Sequence, residues 1–269
     1  MHRRDFLTSS LATSALALNA RSAQAQTKDT ESNTKGRDFY ELRSYHLVDG
    51  PQQKLTDTFI AEALIPALNR LNLKPVGAFD LYLGPETPTT YVLIPGASLE
   101  SVVTAELRLA EDEEYQKSGH AFLHAPATEP AYERLQSSLM VAFSGHPTLT
   151  VPPATAQHGS RVFQLRTYES PNNADHRRKV EMFNSGEYAV FEKAGFWQVF
   201  YGDTLVGQRM PNLTYMLSFP DLAELDAKWK AFGSDPDWKK LSTSPQFSYE
   251  AIVSNITNLI LRPKSYSQI

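Results

Sequence analysis

Leu42-Arg43-Ser44-Tyr45 and Leu165-Arg166-Thr167-Tyr168 are the same short phrase, written twice at a spacing of 123 residues. Held at that spacing, Gly84 falls on Gly207, Pro88 on Pro211, Leu99 on Leu222, Asp112 on Asp235, Tyr115 on Trp238 and Lys117 on Lys240, without a gap. A period this long means two domain-sized copies and not a solenoid of small units. Whatever one copy folds into, the other must fold into as well. Each residue also has a counterpart that serves as its internal control.

The 269 residues, 41% hydrophobic and 21% charged, are enough for two cores of roughly 100 residues each. Residues 1–25 read as an export signal. Arg3-Arg4-Asp5-Phe6-Leu7 resembles the twin-arginine pattern, Leu11 to Leu18 is mildly apolar, and Ala23-Gln24-Ala25 has the small-x-small form of a cleavage site. A periplasmic protein starting at Gln26 is expected, with no membrane anchor after cleavage, because the apolar stretch is far below the ~20 residues of a permanent span. The whole chain has a net charge of -4, and removing the leader with Arg3, Arg4 and Arg21 makes it more negative. That balance argues against a nucleic-acid partner, which needs clustered Lys and Arg. With no cysteine in the chain, thiolate catalysis, disulfides and iron–sulfur ligation are excluded.

Polar residues 26–37 predict a flexible tether, and the Pro-rich stretch 144–160 a linker between the copies, leaving domains at 38–143 and 161–269. Hydrophobic periods in the first domain predict a strand over 39–45, a helix over 53–71, strands over 76–83 and 90–94, a mainly helical stretch over 99–122 and a strand over 135–143. In the second domain the strands fall at 162–168, 197–206, 213–219 and 252–261, with helices over 176–194 and 222–232. The order is βαββαβ twice. The fold class is therefore α+β, with two tandem ferredoxin-like domains whose bare sheet faces pack together as a dimeric-α/β-barrel-type pair.

Side chains alternate along a strand, so Glu41, Arg43 and Tyr45 share one face, as do Gln164, Arg166 and Tyr168. If the apolar Leu42 and Leu165 face the helices, those six polar residues line the space between the sheets. Two readings compete there. Arg43 can be tied to Glu41 or another acid in a structural network, or the same donors can form a pocket for an anionic or oxygen-rich small molecule, where a guanidinium offers a bidentate fork.

Comparison of the copies singles out Glu187, which lies in the stripe Val180, Phe183, Val190, Ala194 where the first copy has Leu64. It is either a rim residue or a placed acid–base group, and it is the candidate catalytic residue. His120 and His124 are four apart, but no third ligand is adjacent and their counterparts are Thr243 and Phe247, so no metal is expected. His46, paired with Glu169 in the other copy, reads as a loop residue at a barrel mouth and not as a haem ligand. Trp229, Phe232 and Trp238 read as core. No cofactor is expected, and no G-x-S-x-G, H-E-x-x-H, G-x-G-x-x-G or P-loop pattern occurs.

Tyr40-Glu41-Leu42-Arg43-Ser44-Tyr45, Gln164 to Tyr168, and Trp229-Lys230-Ala231-Phe232 through Asp235-Pro236-Asp237-Trp238 together resemble the NIPSNAP family, in particular bacterial members with a twin-arginine signal, over residues 38–269. The resemblance implies a dimeric α/β-barrel fold. It transfers no catalytic residue, and Ser44 stands where the family phrase usually has Thr. The wider fold group includes cofactor-free monooxygenases, isomerases and haem enzymes, which raises the expectation of a pocket without choosing a reaction. The resulting expectation is an exported protein binding a small molecule in a polar inter-sheet cavity. The alternatives are a cofactor-free monooxygenase or isomerase with Glu187 as general base, and a structural oligomerisation module acting as a homo-oligomer.

Overall fold

A computed structural model describes residues 36–48 and 50–269; the stretch expected to be a twin-arginine leader and all but the end of the expected tether lie outside the described residues. Eight strands, β1 (Phe39–His46), β2 (Gly77–Leu83), β3 (Thr89–Gly96), β4 (Arg134–Ala142), β5 (Val162–Glu169), β6 (Trp197–Val206), β7 (Asn212–Phe219) and β8 (Asn255–Pro263), close into one antiparallel barrel in the order β1-β3-β2-β8-β5-β7-β6-β4. The halves meet edge to edge, β2 pairing with β8 and β4 with β6, so the barrel closes within one chain and no strand edge is left open among the described strands. This differs from sheets packed face to face: closure gives each strand two buried sides, one to the lumen and one to the helices. Gly202 makes the β4–β6 seam possible, since a Cβ there would stand 2.8 Å from Met140 Sδ.

The 123-residue register extends to backbone detail. The helix expected over 53–71 runs as Gly50–Phe59, a π-helical turn at Ile60–Leu64 and Ile65–Arg70. Its counterpart runs as Asn173–Met182, a π-helical turn at Phe183–Glu187 and Tyr188–Lys193. Asp112 and Asp235 both cap helix N-termini, accepting from Tyr115 N and from Asp237 N and Trp238 N. Glu86 and Arg209 hold the same left-handed backbone position in the two hairpins (φ 64° and 55°). The register slips only near the end, where Tyr249–Ile252 forms a helical turn, so that β8 starts at Asn255 and not at the expected 252.

Packing assigns the two sides of β1 and β5. Tyr40, Phe79, Leu93, Phe163, Leu165 and Met216 fill the lumen, with Leu42 against them. Phe39 and Tyr45 join Phe59, Leu64 and Phe122 under the helices of the first half, while Tyr168 joins Phe183, Phe191 and Tyr215 under those of the second. The expected alternation holds, but its facing is reversed: Glu41, Arg43, Tyr45, Gln164, Arg166 and Tyr168 point to the helix layer, not to the space enclosed by the sheet. A leucine can satisfy either side of a closed barrel, so apolarity alone could not choose.

Candidate ligand site beneath the helices of the second half

In the first half the phrase forms a closed ionic clamp. Arg43 is 3% exposed; its Nε and Nη2 donate to Glu41 Oε1 and Oε2, both at 2.8 Å, and its Nη1 to Glu106 Oε1 at 2.5 Å. Ser137 Oγ adds a bond to Glu41 Oε1 at 2.8 Å. Burial opposes the charge on Arg43, yet Tyr45 and the two carboxylates together raise its pKa well above the ordinary value. For this copy the structural network is the arrangement present. Each of the three Arg43 nitrogens donates to a carboxylate.

The second half keeps the arginine and the tyrosine and changes their surroundings. Gln164 replaces Glu41 and Trp229 replaces Glu106 in the repeat register. Gln164 Oε1 accepts from Trp229 Nε1 at 2.6 Å and its Nε2 donates to Asn258 Oδ1 at 2.9 Å, so the amide supplies no charge. Arg166 is half-buried. Its Nε and Nη2 donate to Tyr168 Oη at 3.2 and 2.9 Å, and that phenol lies 2.8 Å from Tyr215 Oη. The guanidinium stacks 4.5 Å from the Trp229 ring and 5.2 Å from that of Tyr168. Among the described residues no carboxylate is within ion-pair distance of Arg166, and its Nη1 has no protein partner.

Burial again opposes the charge, and what holds the Arg166 pKa up is Tyr215, Tyr168 and Tyr249. Burial also raises the pKa values of Tyr215 and Tyr249, so these phenols are neutral near pH 7 and contribute dipoles in place of a counter-charge.

Next to this cluster the sequence comparison had singled out Glu187 alone; the structure supplies its partner. Lys179 Nζ is 2.5 Å from Glu187 Oε2, with the two side chains 0% and 1% exposed. The ammonium is enclosed by the rings of Phe183 at 4.3 Å, Tyr249 at 5.0 Å, Tyr168 at 5.3 Å and Trp238 at 5.9 Å. The π-helical turn puts both Phe183 and Glu187 on the buried side of the helix. Burial raises the Glu187 pKa more than Lys179 and Arg166 lower it. Lys179 was legible by the same comparison, because its counterpart is Thr56. Trp229, read from the sequence as core, packs on Phe191 and Phe196 and is also a hydrogen-bond donor and a cation-π platform.

The three histidines weighed as ligands from the sequence have local partners. His46 Nδ1 lies 3.0 Å from Glu86 and its Nε2 3.2 Å from Gln136 Oε1 at the barrel mouth. His120 and His124 stack on each other with ring centroids 4.3 Å apart, and no group of three or more potential ligand side chains is gathered among the described residues. No described helix is long and apolar enough to cross a membrane.

The half that carries the uncompensated arginine is also the half with a family match. Residues 163–268 match the NIPSNAP family model. By structure, a candidate monooxygenase from Fusobacterium nucleatum covers 84% of this chain and 92% of its own, at 7% identity and a TM-score of 0.57. A candidate monooxygenase from Lactobacillus acidophilus covers 84% and 94% at 7% identity and 0.55. A NIPSNAP-like domain protein from Burkholderia xenovorans covers 41% of this chain and 90% of its own, at 20% identity and a TM-score of 0.37. No curated protein matches the chain. The likeness to the two monooxygenase-named proteins is one of fold, an α+β architecture around an eight-stranded barrel. Within the NIPSNAP match lie Gln164, Arg166, Tyr168, Lys179, Glu187 and Trp229.

Proposed function

We propose that the protein binds a small anionic or oxygen-rich molecule with an apolar or aromatic body, and that it does so at Arg166 under the helices of the second half. One observation carries this reading: Arg166 has neither of the carboxylates that bracket its counterpart Arg43. Removing a guanidinium from water without a counter-charge costs several kcal/mol, which a ligand oxyanion on Nη1 would offset. The rings of Trp229 and Tyr168 offer flat apolar surface beside it. The leader adds a periplasmic setting to the proposal. Each half reads as one ferredoxin-like unit, a view supported by the contiguous strand orders β4-β1-β3-β2 and β8-β5-β7-β6.

Tryptophan fluorescence during titration with benzoate, succinate and inorganic phosphate tests the site. A saturable change with at least one of these anions is expected, lost in Arg166→Met and kept in Arg43→Met. Equal binding by wild type and Arg166→Met would overturn the assignment.

A second reading has Glu187 as general base of a cofactor-free oxygenase or isomerase. It is favoured by the raised pKa of a buried carboxylate beside two cations. Deuterium exchange next to the carbonyl of a β-keto acid in D2O, followed by proton NMR, would support this reading if it required Glu187. Exchange at the same rate in Glu187→Gln would remove it. Homo-oligomerisation through open strand edges gains no support from a barrel whose described strands are all paired.

A further inference from the structure

Reversal of the phrase leaves Ser44 and Thr167, its two small hydroxyl residues, pointing into the lumen. They line a chamber of about 100 Å³ at the end where β1 and β5 finish, together with Ser138, Thr214 and Thr257, over a floor of Leu42, Leu165 and Leu259. Small barrels ordinarily fill this space with side chains, and the deeper lumen here does so with Tyr40, Phe79, Phe163 and Met216. Toward the mouth small hydroxyl side chains take the place of these large ones. The space is several times the ~10–15 Å³ that one water needs.

Several polar groups in the chamber are already paired: Thr167 Oγ1 with Thr214 Oγ1 at 2.9 Å, and Thr257 Oγ1 with Arg209 Nη1 at 2.8 Å. The hydroxyls of Ser138 and Tyr91 and the side-chain amide of Gln208 line the same space and have no protein partner among the described residues. Burial pushes the Tyr91 phenol up to about 12, so it stays a neutral donor and acceptor. Arg209 roofs the chamber and is neutralised by Glu169 at 3.2 Å; across the mouth, His46 and Glu86 make the corresponding link at 3.0 Å. Gly207 lets the hairpin come this close, since a Cβ there would stand 2.8 Å from Ser138 Oγ.

We infer that this chamber is a second binding site, distinct from the Arg166 site on the other side of β5, and that it takes a small uncharged polyol. The roofing guanidinium already has its carboxylate, so an anion gains little there. The hydroxyls of a three-carbon polyol can pair with the unpartnered Ser138, Tyr91 and Gln208 side chains, and the leucine floor accepts its carbon chain.

Titration of 15N-labelled protein with glycerol, with sucrose as the oversized control, tests the inference. Saturable shifts are expected at the amides of Ser44, Thr167, Thr214 and Thr257 with glycerol and not with sucrose, unchanged in Arg166→Met. Ser44→Leu should fill the chamber and weaken glycerol binding at least tenfold; Ser138→Val provides the same test if the first variant fails to fold. Linear shifts that match those in sucrose, or lumen waters that glycerol does not displace, would overturn it.

Discussion

Arg43 and Arg166 stand at the same point of the two halves, on the helix-facing side of the first strand, two residues before a buried tyrosine. Around Arg43 two carboxylates accept from each of the three nitrogens of the fork. Around Arg166 a glutamine, a tryptophan and a tyrosine take their place, and the nearby negative charge has moved to Glu187, where Lys179 already holds it. Two halves with one backbone thus differ in where charge is balanced. A self-contained clamp needs nothing further, whereas a cation with no carboxylate at ion-pair distance favours an incoming anion.

The largest expected effect concerns the Lys179–Glu187 pair. Lys179→Thr or Glu187→Leu alone strands a buried charge and should cost about 3–5 kcal/mol in urea unfolding. The double variant installs the Thr56 and Leu64 of the other half and should recover most of that loss. A double variant as unstable as the singles would mean that the halves are not interchangeable at this point. Next in size, Arg43→Met leaves Glu41 and Glu106 without their cation and should cost about 2–3 kcal/mol. Arg166→Met strands no carboxylate at hydrogen-bond distance and should cost about 1 kcal/mol or less. Equal costs in the two halves would break the comparison.

The pH dependence should be smaller. Glu187 has its folded pKa raised above the ordinary 4.5, so the native state holds that proton more tightly than the unfolded chain does. Its contribution to stability is complete below about 4.5 and is lost as pH rises through the raised folded value. Lys179→Thr/Glu187→Leu should lack this decline, as unfolding midpoints measured across that window would show. Smallest of all is the mouth. His46 and Glu86 in one half correspond to Glu169 and Arg209 in the other, a pair with its acid and base exchanged. Converting His46→Glu with Glu86→Arg together should change stability by less than ~1 kcal/mol, while His46→Glu alone sets two acids together and should cost more. A double-mutant cycle reads the difference.

Much of this architecture was legible in the repeat, because an offset of 123 residues carries strands, caps and hairpin backbones from one half to the other. Barrel closure within the chain was compatible with that pattern but not fixed by it. What the pattern could not decide was the facing of Leu42 and Leu165, since a closed barrel buries both sides of its strands. Glu187 stood out because leucine is its counterpart. Lys179 carried the same kind of signal against Thr56, but lysine on a helix ordinarily reads as solvated, and its burial depends on four rings, three of them from other segments. Loss of the clamp at Gln164 and Trp229 was written in the same register. It acquires meaning only once Glu106 is seen to reach Arg43 from 63 residues away.

Transplanting the clamp tests the central claim most directly. Gln164→Glu restores to Arg166 the neighbour that Arg43 has in Glu41, while Asn258 can turn its amide to donate to the new carboxylate. Calorimetric titration with the anion that binds wild type most tightly should show at least a tenfold loss of affinity in Gln164→Glu, with the unfolding midpoint unchanged or raised. Unchanged affinity in a folded Gln164→Glu would contradict the claim that the missing carboxylates make the second half a binding site.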